Sequence, residues 1–386
     1  MRILGIFLNN QVRTGGHIRC LELMEGLARR GHQVTVLLNS ALEYRPSCFT
    51  ELRLAAPYTR RSIPPASLVF KRSTRGWLKA GGPAEKPDFV LVFGEVNLHA
   101  ALEVKKRLNV PVLLGLQSNG VRQTLISIRE NVLLPHRLMR GLFDLLHNRL
   151  DEARIARSCD AIVFQSDFDR DEFLARNRKD PGACFVIPGN IGPPRFTEES
   201  RGLNKSDALR KILFMGTLGE RKGLRYLFQA FAILHAEGRR ELELHVAGSG
   251  TDDQRARFEG IAAKRGFASS VTFYGRVPST VPLMADCDIL VAPSLFDSFP
   301  DVVLLALHAG IPVLGSRVAG ITDMLQHEEL LFPPRDGAAI ASILRRCLDE
   351  PGHYKAVRAL SAERRSSFIF DWPARWESVA AEAFRG

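Results

Sequence analysis

Short apolar runs alternate with stretches of helical periodicity along the whole chain. Met1–Leu8 is such a run and predicts a strand. Ile18, Leu21, Met24, Leu27 and Ala28 then fall at helical spacing within 17–30, and Gly31 follows as the C-cap. QVTVLL (33–38), FVLVF (89–93), VPVLLGL (110–116), AIVF (161–164) and CFVI (184–187) predict further strands. Their near-continuous hydrophobicity is that of parallel strands covered on both faces. Pro181, Pro188, Gly189, Gly192, Pro193 and Pro194 cluster next, and the polar stretch 197–207 reads as a linker. A second cycle opens at KILFM (211–215). It continues with helix 223–236, strand 242–247, helix 252–265, and strands 271–274, 289–292 and 313–315. Two such cycles predict an α/β protein of two Rossmann-like doubly wound domains facing each other, residues 1–195 and 205–367.

With 386 residues, 45% hydrophobic and 25% charged, the chain can build two cores. No apolar run reaches the ~18 residues of a membrane span. The start MRILGIFLNNQ turns polar too soon for a secretory signal and reads as the first strand. Six scattered cysteines without a C-x-x-C fit a reducing cytosol and argue against a zinc site.

In such folds ligands bind where strands end in glycine loops that lead into helices. Five loops qualify. Thr14-Gly15-Gly16-His17 is either an ordinary turn or a phosphate-facing helix start. Gly216-Thr217-Leu218-Gly219-Glu220-Arg221-Lys222 brings two cations to a helix entrance, where they can meet a diphosphate or simply be solvated. Gly248-Ser249-Gly250 and Gly275-Arg276-Val277 follow two more strands. In Pro293-Ser294-Leu295-Phe296-Asp297-Ser298-Phe299-Pro300-Asp301, Ser298 and Asp301 have capping-box spacing, and Pro300 falls in the first turn of a helix running to Ala309. Asp297 stands just before that helix.

In order and spacing, these segments resemble the retaining nucleotide-sugar glycosyltransferases of GT-B fold (group 1, family 4 type). GGHIRCLELMEGLARRGHQVTVL, CDAIVFQSDF, FVIPGNI, ILFMGTLGERKGL, HVAGSGTD, VTFYGRVP, DCDILVAPSLFDSFPDVVLLALHAGIPVLGS, AGITDMLQHEELLFPPRD and FIFDWPARWESVAAEAF carry the likeness over nearly the whole chain. The resemblance implies an acceptor domain completed by a C-terminal helix at 368–386, and a donor domain that binds a nucleotide-diphosphate sugar without a metal or other cofactor. It implies Asp297 and Lys222 as catalytic residues. Donor contacts would come from Gly15, Gly16, Gly216, Arg221, Gly248, Gly250, Arg276, Val277, Ser298, Phe299, Pro300, Asp301 and Val302. Gln117 and Asn119 would lie on the acceptor side. The family's usual Arg, second Glu and His fall on Thr217, Leu305 and Gln117, which leaves a non-catalytic GT-B-shaped binding or partner subunit as the alternative. Asp286-Cys287-Asp288 fits a D-x-D pattern, but it precedes a strand directly and reads as a turn.

Charge adds one partner class. Residues 1–190 hold 28 Lys+Arg against 18 Asp+Glu, while 191–386 hold 25 against 24. Between Leu52 and Ala84, Arg53, Arg60, Arg61, Lys71, Arg72, Arg75 and Lys79 stand with no acid, and Leu68, Val69, Phe70 and Trp77 lie among them. That mixture fits either a solvated basic surface or an anionic membrane face met through residues 53–79, beside a glycan or lipid-linked acceptor. Expected localisation is therefore cytoplasmic, with peripheral contact to the inner face of the membrane. The stretch 132–157 reads as a core helix with a solvated basic side. No nucleic-acid motif occurs.

Overall fold

In a computed structural model, residues 1–8, 15–38, 48–54, 66–130, 135–190 and 208–384 are described. The chain forms two units: one comprises Met1–Asn119, Leu146–Pro188 and Asp371–Gly386, the other Gly120–Leu145 and Gly189–Phe370.

The first unit contains β1 (Arg2–Phe7), α1 (Gly15–Arg29), β2 (Gln33–Leu38), β3 (Thr50–Arg53), α2 (Ala66–Lys79), β4 (Phe89–Phe93), α3 (Leu98–Leu108) and β5 (Val112–Gly115). After α4 (Gly120–Glu130) and the long α5 (Pro135–Ser158), it resumes with β6 (Ala161–Phe164), α6 (Asp167–Arg176) and β7 (Cys184–Val186). Its seven strands are all parallel, in the order β3-β2-β1-β4-β5-β6-β7. The central strands are buried along their whole length, as their unbroken apolar runs require.

The second unit contains β8 (Lys211–Met215), α7 (Leu224–Ala236), β9 (Glu243–Ala247), α8 (Asp252–Lys264), β10 (Val271–Gly275), α9 (Val281–Asp286) and β11 (Ile289–Ala292). It continues with α10 (Asp301–Ala309), β12 (Val313–Ser316), α11 (Ala319–Leu325), β13 (Leu331–Phe332), α12 (Gly337–Asp349) and α13 (Pro351–Ser366). Its six parallel strands run β10-β9-β8-β11-β12-β13. Strand order reverses between β8 and β11, the place where open α/β sheets hold ligands at their carboxyl ends. A final helix, α14 (Trp372–Ala383), belongs to the first unit. Asp371 caps it, Trp376 packs 5.1 Å from Phe93, and Arg30 bridges to Asp371 at 2.8 Å and Glu377 at 2.6 Å.

Two sequence expectations are corrected. In α2, Phe70 is buried and Trp77 packs on the core of the first unit. Arg75 forks onto Glu103 at 2.7 and 3.0 Å, with Lys71 at 3.5 Å, and the Arg75 hydrogen bonds hold the Glu103 carboxyl below the usual range. The aromatic residues of 66–79 therefore serve the core, and two of its cations are neutralised. The Arg53 side chain, Arg60 and Arg61 lie outside the described residues, as does the linker stretch 191–207. In α5 the expectation is reversed: apolar side chains that a core helix would bury are exposed, among them Phe143 at 70%.

Candidate functional site

The second unit gathers its sequence-predicted residues at the carboxyl ends of β8 and β11. After β8 the chain makes a single 3₁₀ turn, Glu220–Lys222, and Gly223 then enters α7 with φ 70°. A Cβ on Gly223 would sit 1.8 Å from the Pro293 carbonyl oxygen, so this position needs glycine both for its left-handed backbone and for the close approach. That approach lays the 220–222 turn along the loop after β11. Leu295 N–H donates to the Arg221 carbonyl at 2.8 Å, and the Arg221 guanidinium donates to the Phe296 carbonyl at 3.0 Å.

Residues 291–300 are buried throughout. Within them Asp297 is the charged centre. Its Oδ2 accepts from Lys222 Nζ at 2.5 Å and from Ser294 Oγ at 3.5 Å, with Arg221 Nη1 also 3.5 Å away. The Lys222 and Asp297 side chains are 15% and 13% exposed, which excludes most water from the pair while leaving one edge open. Ser316 Oγ, from the end of β12, donates to the Ser294 carbonyl at 2.5 Å. Gly320 N–H donates to the Asp297 carbonyl at 3.1 Å, and a Cβ on Gly320 would lie 1.7 Å from the Ser298 carbonyl oxygen. The loop is thus clamped from three neighbouring elements. Gly320 and Ser316 were absent from the sequence-predicted set, because tertiary approach, not local pattern, singles them out.

The expected capping box is not how α10 begins. Asp301 is its first residue and Pro300 occupies the N-cap, where its ring offers no capping oxygen. Ser298 and Phe299 are buried beneath that start, and Phe299 meets Phe368 edge-on at 5.8 Å. Val302 is half-buried against the core of the unit, and so is Leu305 one turn further on.

Three glycine loops run side by side. Gly216 N–H donates to Ala247 at 2.9 Å, Leu218 N–H to Ser249 at 3.0 Å and Gly248 N–H to Gly275 at 2.7 Å. Gly250 lies against the Leu218 side chain. Arg276 is exposed and Val277 half-buried after β10, which is two strands from β8. They stand apart from the Lys222–Asp297 pair, and Thr217 is exposed.

Gly15 and Gly16 open α1 in the first unit, and Thr14 lies outside the described residues. Gln117 follows β5 and is half-buried. Asn119 is buried, donating to Asp169 at 3.1 Å and Glu172 at 3.0 Å and accepting from Arg176 at 3.2 Å. Arg176 in turn forks onto Glu152, so Asn119 belongs to a polar network that fastens α6. In the D-x-D segment, Asp288 Oδ2 accepts from the Arg210 and Lys211 N–H groups, and Asp286 pairs with Lys211 at 2.8 Å. Both carboxylates fix the start of β8.

Comparison with known proteins yields two family matches along the chain. Residues 14–189 match the family model described as glycosyl transferase 4-like domain, and 210–350 match that of the glycosyl transferases group 1. An uncharacterized glycosyltransferase of Methanocaldococcus jannaschii is 34% identical over 130 residues, which is 33% of this chain and 32% of that protein. The D-inositol 3-phosphate glycosyltransferase of Streptomyces coelicolor is 28% identical over 60% of this chain and 56% of its own length. The matches thus span about a third and just over half of these relatives. Among solved structures, sucrose-phosphate synthase from Thermosynechococcus elongatus superposes with a TM-score of 0.76 at 20% identity, covering 99% of this chain and 96% of that one, a likeness of fold.

Proposed function

The chain belongs to the group 1 glycosyltransferases, with two Rossmann-like units of the GT-B class, and we propose that it moves a hexosyl group from a nucleotide-diphosphate sugar to a glycan or lipid-linked acceptor. In this reading residues 205–367 form the donor domain, and residues 1–195 with the helix at 368–386 form the acceptor domain. The product would serve cell-surface polysaccharide or glycolipid synthesis at the cytoplasmic side of a membrane. The observation that carries the reading is the water-poor Lys222–Asp297 pair at the strand-order reversal, with Asp297 four positions before the first residue of α10.

Each group has a task in the transfer. Lys222 and the positive end of the α10 dipole face the charge that develops on the departing diphosphate. Asp297 accepts hydrogen bonds from donor-sugar hydroxyls. The acceptor hydroxyl attacks the anomeric carbon on the face from which the diphosphate leaves. The glycosidic C–O bond to phosphate breaks as the new one forms, and the hydroxyl proton passes to the departing phosphate oxygen. Configuration is retained, and no step calls on a metal.

A panel of nucleotide sugars tests this. Thermal shift and nucleotide release are measured with and without chelator, and proton NMR reads the anomeric configuration of the product. Stabilisation by one donor, release that survives chelation and a retained anomer support the proposal. Tight nucleotide binding with no transfer to any acceptor would favour the non-catalytic reading, for which the apolar Leu305 on α10 speaks.

A further inference from the structure

Helix α5 carries a row of large apolar side chains left open to solvent. Met139 is 67% exposed, Phe143 70%, Leu146 60% and Leu150 54%, and Leu142 flanks them at 47%. Spacings of three, four and seven place them on one stripe of a continuous helix, ~17 Å long between residues 139 and 150 at 1.5 Å per residue. The stripe is not the face by which α5 packs. Gly141 lies against Ile128 of α4, and Ile155 and Ala156 are buried in the core.

The borders of the stripe are basic. Arg140, His147 and Arg154 recur every seven residues along one side, 85%, 65% and 40% exposed. Arg149 stands on the other side and Arg157 at the C-terminal end. Asp144 and Asp151 lie beyond the Arg140–Arg154 row, on the side away from the apolar stripe, where they pair with it.

We propose that α5 docks the protein on an anionic leaflet, lying in the headgroup plane. Met139, Phe143, Leu146 and Leu150 enter the acyl boundary, and the flanking guanidinium groups meet lipid phosphates. The charge pattern selects this occupant. A two-fold pairing through the same stripe would bring the basic rows of two copies together, whereas the headgroup layer neutralises them. Of the two basic helices, α2 has given its aromatic side chains to the core, whereas the apolar side chains of α5 are exposed and can insert. This docking stands independently of the transfer reaction.

The test is co-sedimentation of the full chain with vesicles of phosphatidylcholine alone or mixed with phosphatidylglycerol, at low and high salt. Wild type should bind the phosphatidylglycerol vesicles, less at high salt. Phe143→Ser/Leu146→Ser, two exposed positions that leave charge and fold intact, should weaken binding by roughly tenfold or more. Arg140→Glu/Arg154→Glu should lose binding to phosphatidylglycerol vesicles as well. Arg72→Glu/Lys79→Glu on α2 should bind as wild type. Failure of wild type to bind either vesicle, or full binding by the serine variant, overturns the proposal. So does a light-scattering mass that doubles for wild type and falls to the monomer in the serine variant, because the stripe would then belong to a second copy.

Discussion

Removing Lys222 tests both the architecture of the site and its chemistry. At 2.5 Å and an effective dielectric near 20, its attraction to Asp297 amounts to about 7 kcal/mol before desolvation. Burying two side chains to 15% and 13% exposure costs several kcal/mol per ion, leaving a net coupling of about 1–3 kcal/mol. Ser294 Oγ and Arg221 remain at 3.5 Å from Asp297 when the lysine is gone, so Lys222→Ala should fall at the lower end of the loss expected for a broken buried pair, about 3 kcal/mol. A double-mutant cycle of Lys222→Ala and Asp297→Ala, read by chemical denaturation without ligand, measures the coupling directly. A value under about 0.5 kcal/mol would refute the water-poor pair. Calorimetry then separates the two roles. Lys222→Ala should weaken nucleotide-diphosphate binding by about 1–3 kcal/mol, the scale of a charged hydrogen bond. Asp297→Asn releases the lysine and should leave the affinity for the sugar-free nucleotide unchanged or raised, while transfer collapses. Equal weakening by both substitutions would mean that the pair only holds the loop.

Three further outcomes follow from the geometry. Gly223→Ala should cost more than about 1 kcal/mol in denaturation, since φ 70° and the Pro293 carbonyl both oppose a Cβ, and a neutral result would contradict that close approach. Burial pushes the Cys159 and Cys347 thiols up to about 12 and raises those of Cys20 and Cys184, so native protein at pH 8 should yield one fast-reacting thiol, exposed Cys48, against six after unfolding. Because unfolded thiols ionise near pH 8.5 and these do not, their share of stability is whole below that pH and should decline as pH rises towards 12. Leu305→Glu should lower stability by about 1–2 kcal/mol, as a half-buried side chain becomes charged, yet tighten nucleotide binding if a ribose lies beside it; loss of folding would instead show that Leu305 is core.

Both sheets were legible because their strands are short unbroken apolar runs, and parallel strands buried on both faces leave that mark without help from context. β3 and β13 were not: TELR has no apolar run and Leu331–Phe332 is only two residues long, and each joins its sheet only through pairing with one neighbour, β2 or β12. The Lys222 and Asp297 loops could be read from glycine, cation and carboxylate spacing at strand ends. Their clamps could not, since Ser316 and Gly320 reach the Asp297 loop from elements 19 and 23 positions later in the chain. Arg221 changed meaning for the same reason. In the sequence it is a second cation for a diphosphate, whereas in the structure its guanidinium also grips the Phe296 carbonyl, so it shapes the loop that presents Asp297.

Helical periodicity has a deeper ambiguity, and the two basic stretches expose it. A stripe of Leu, Met and Phe along 139–150 and a mixture of Phe70, Trp77 and arginines along 66–79 give the same amphipathic signal, because periodicity reports that one face is apolar and not what covers it. Inside a domain the cover is a neighbouring element, and that is decided by chain topology. α2 runs between β3 and β4 and crosses the sheet, so its apolar face meets the core, and two of its cations, Lys71 and Arg75, pair with Glu103 of α3. α5 instead spans residues assigned to both units, and its packing face is already occupied by Gly141, Ile155 and Ala156. Among the described residues, no element buries the apolar row beside that face. Net charge is equally silent about place: the excess of cations in residues 1–190 is shared by both helices. Cations of both helices have carboxylate partners, so what separates the two is the cover of the apolar side chains: the core takes Phe70 and Trp77 of α2, while the row from Met139 to Leu150 of α5 stays exposed.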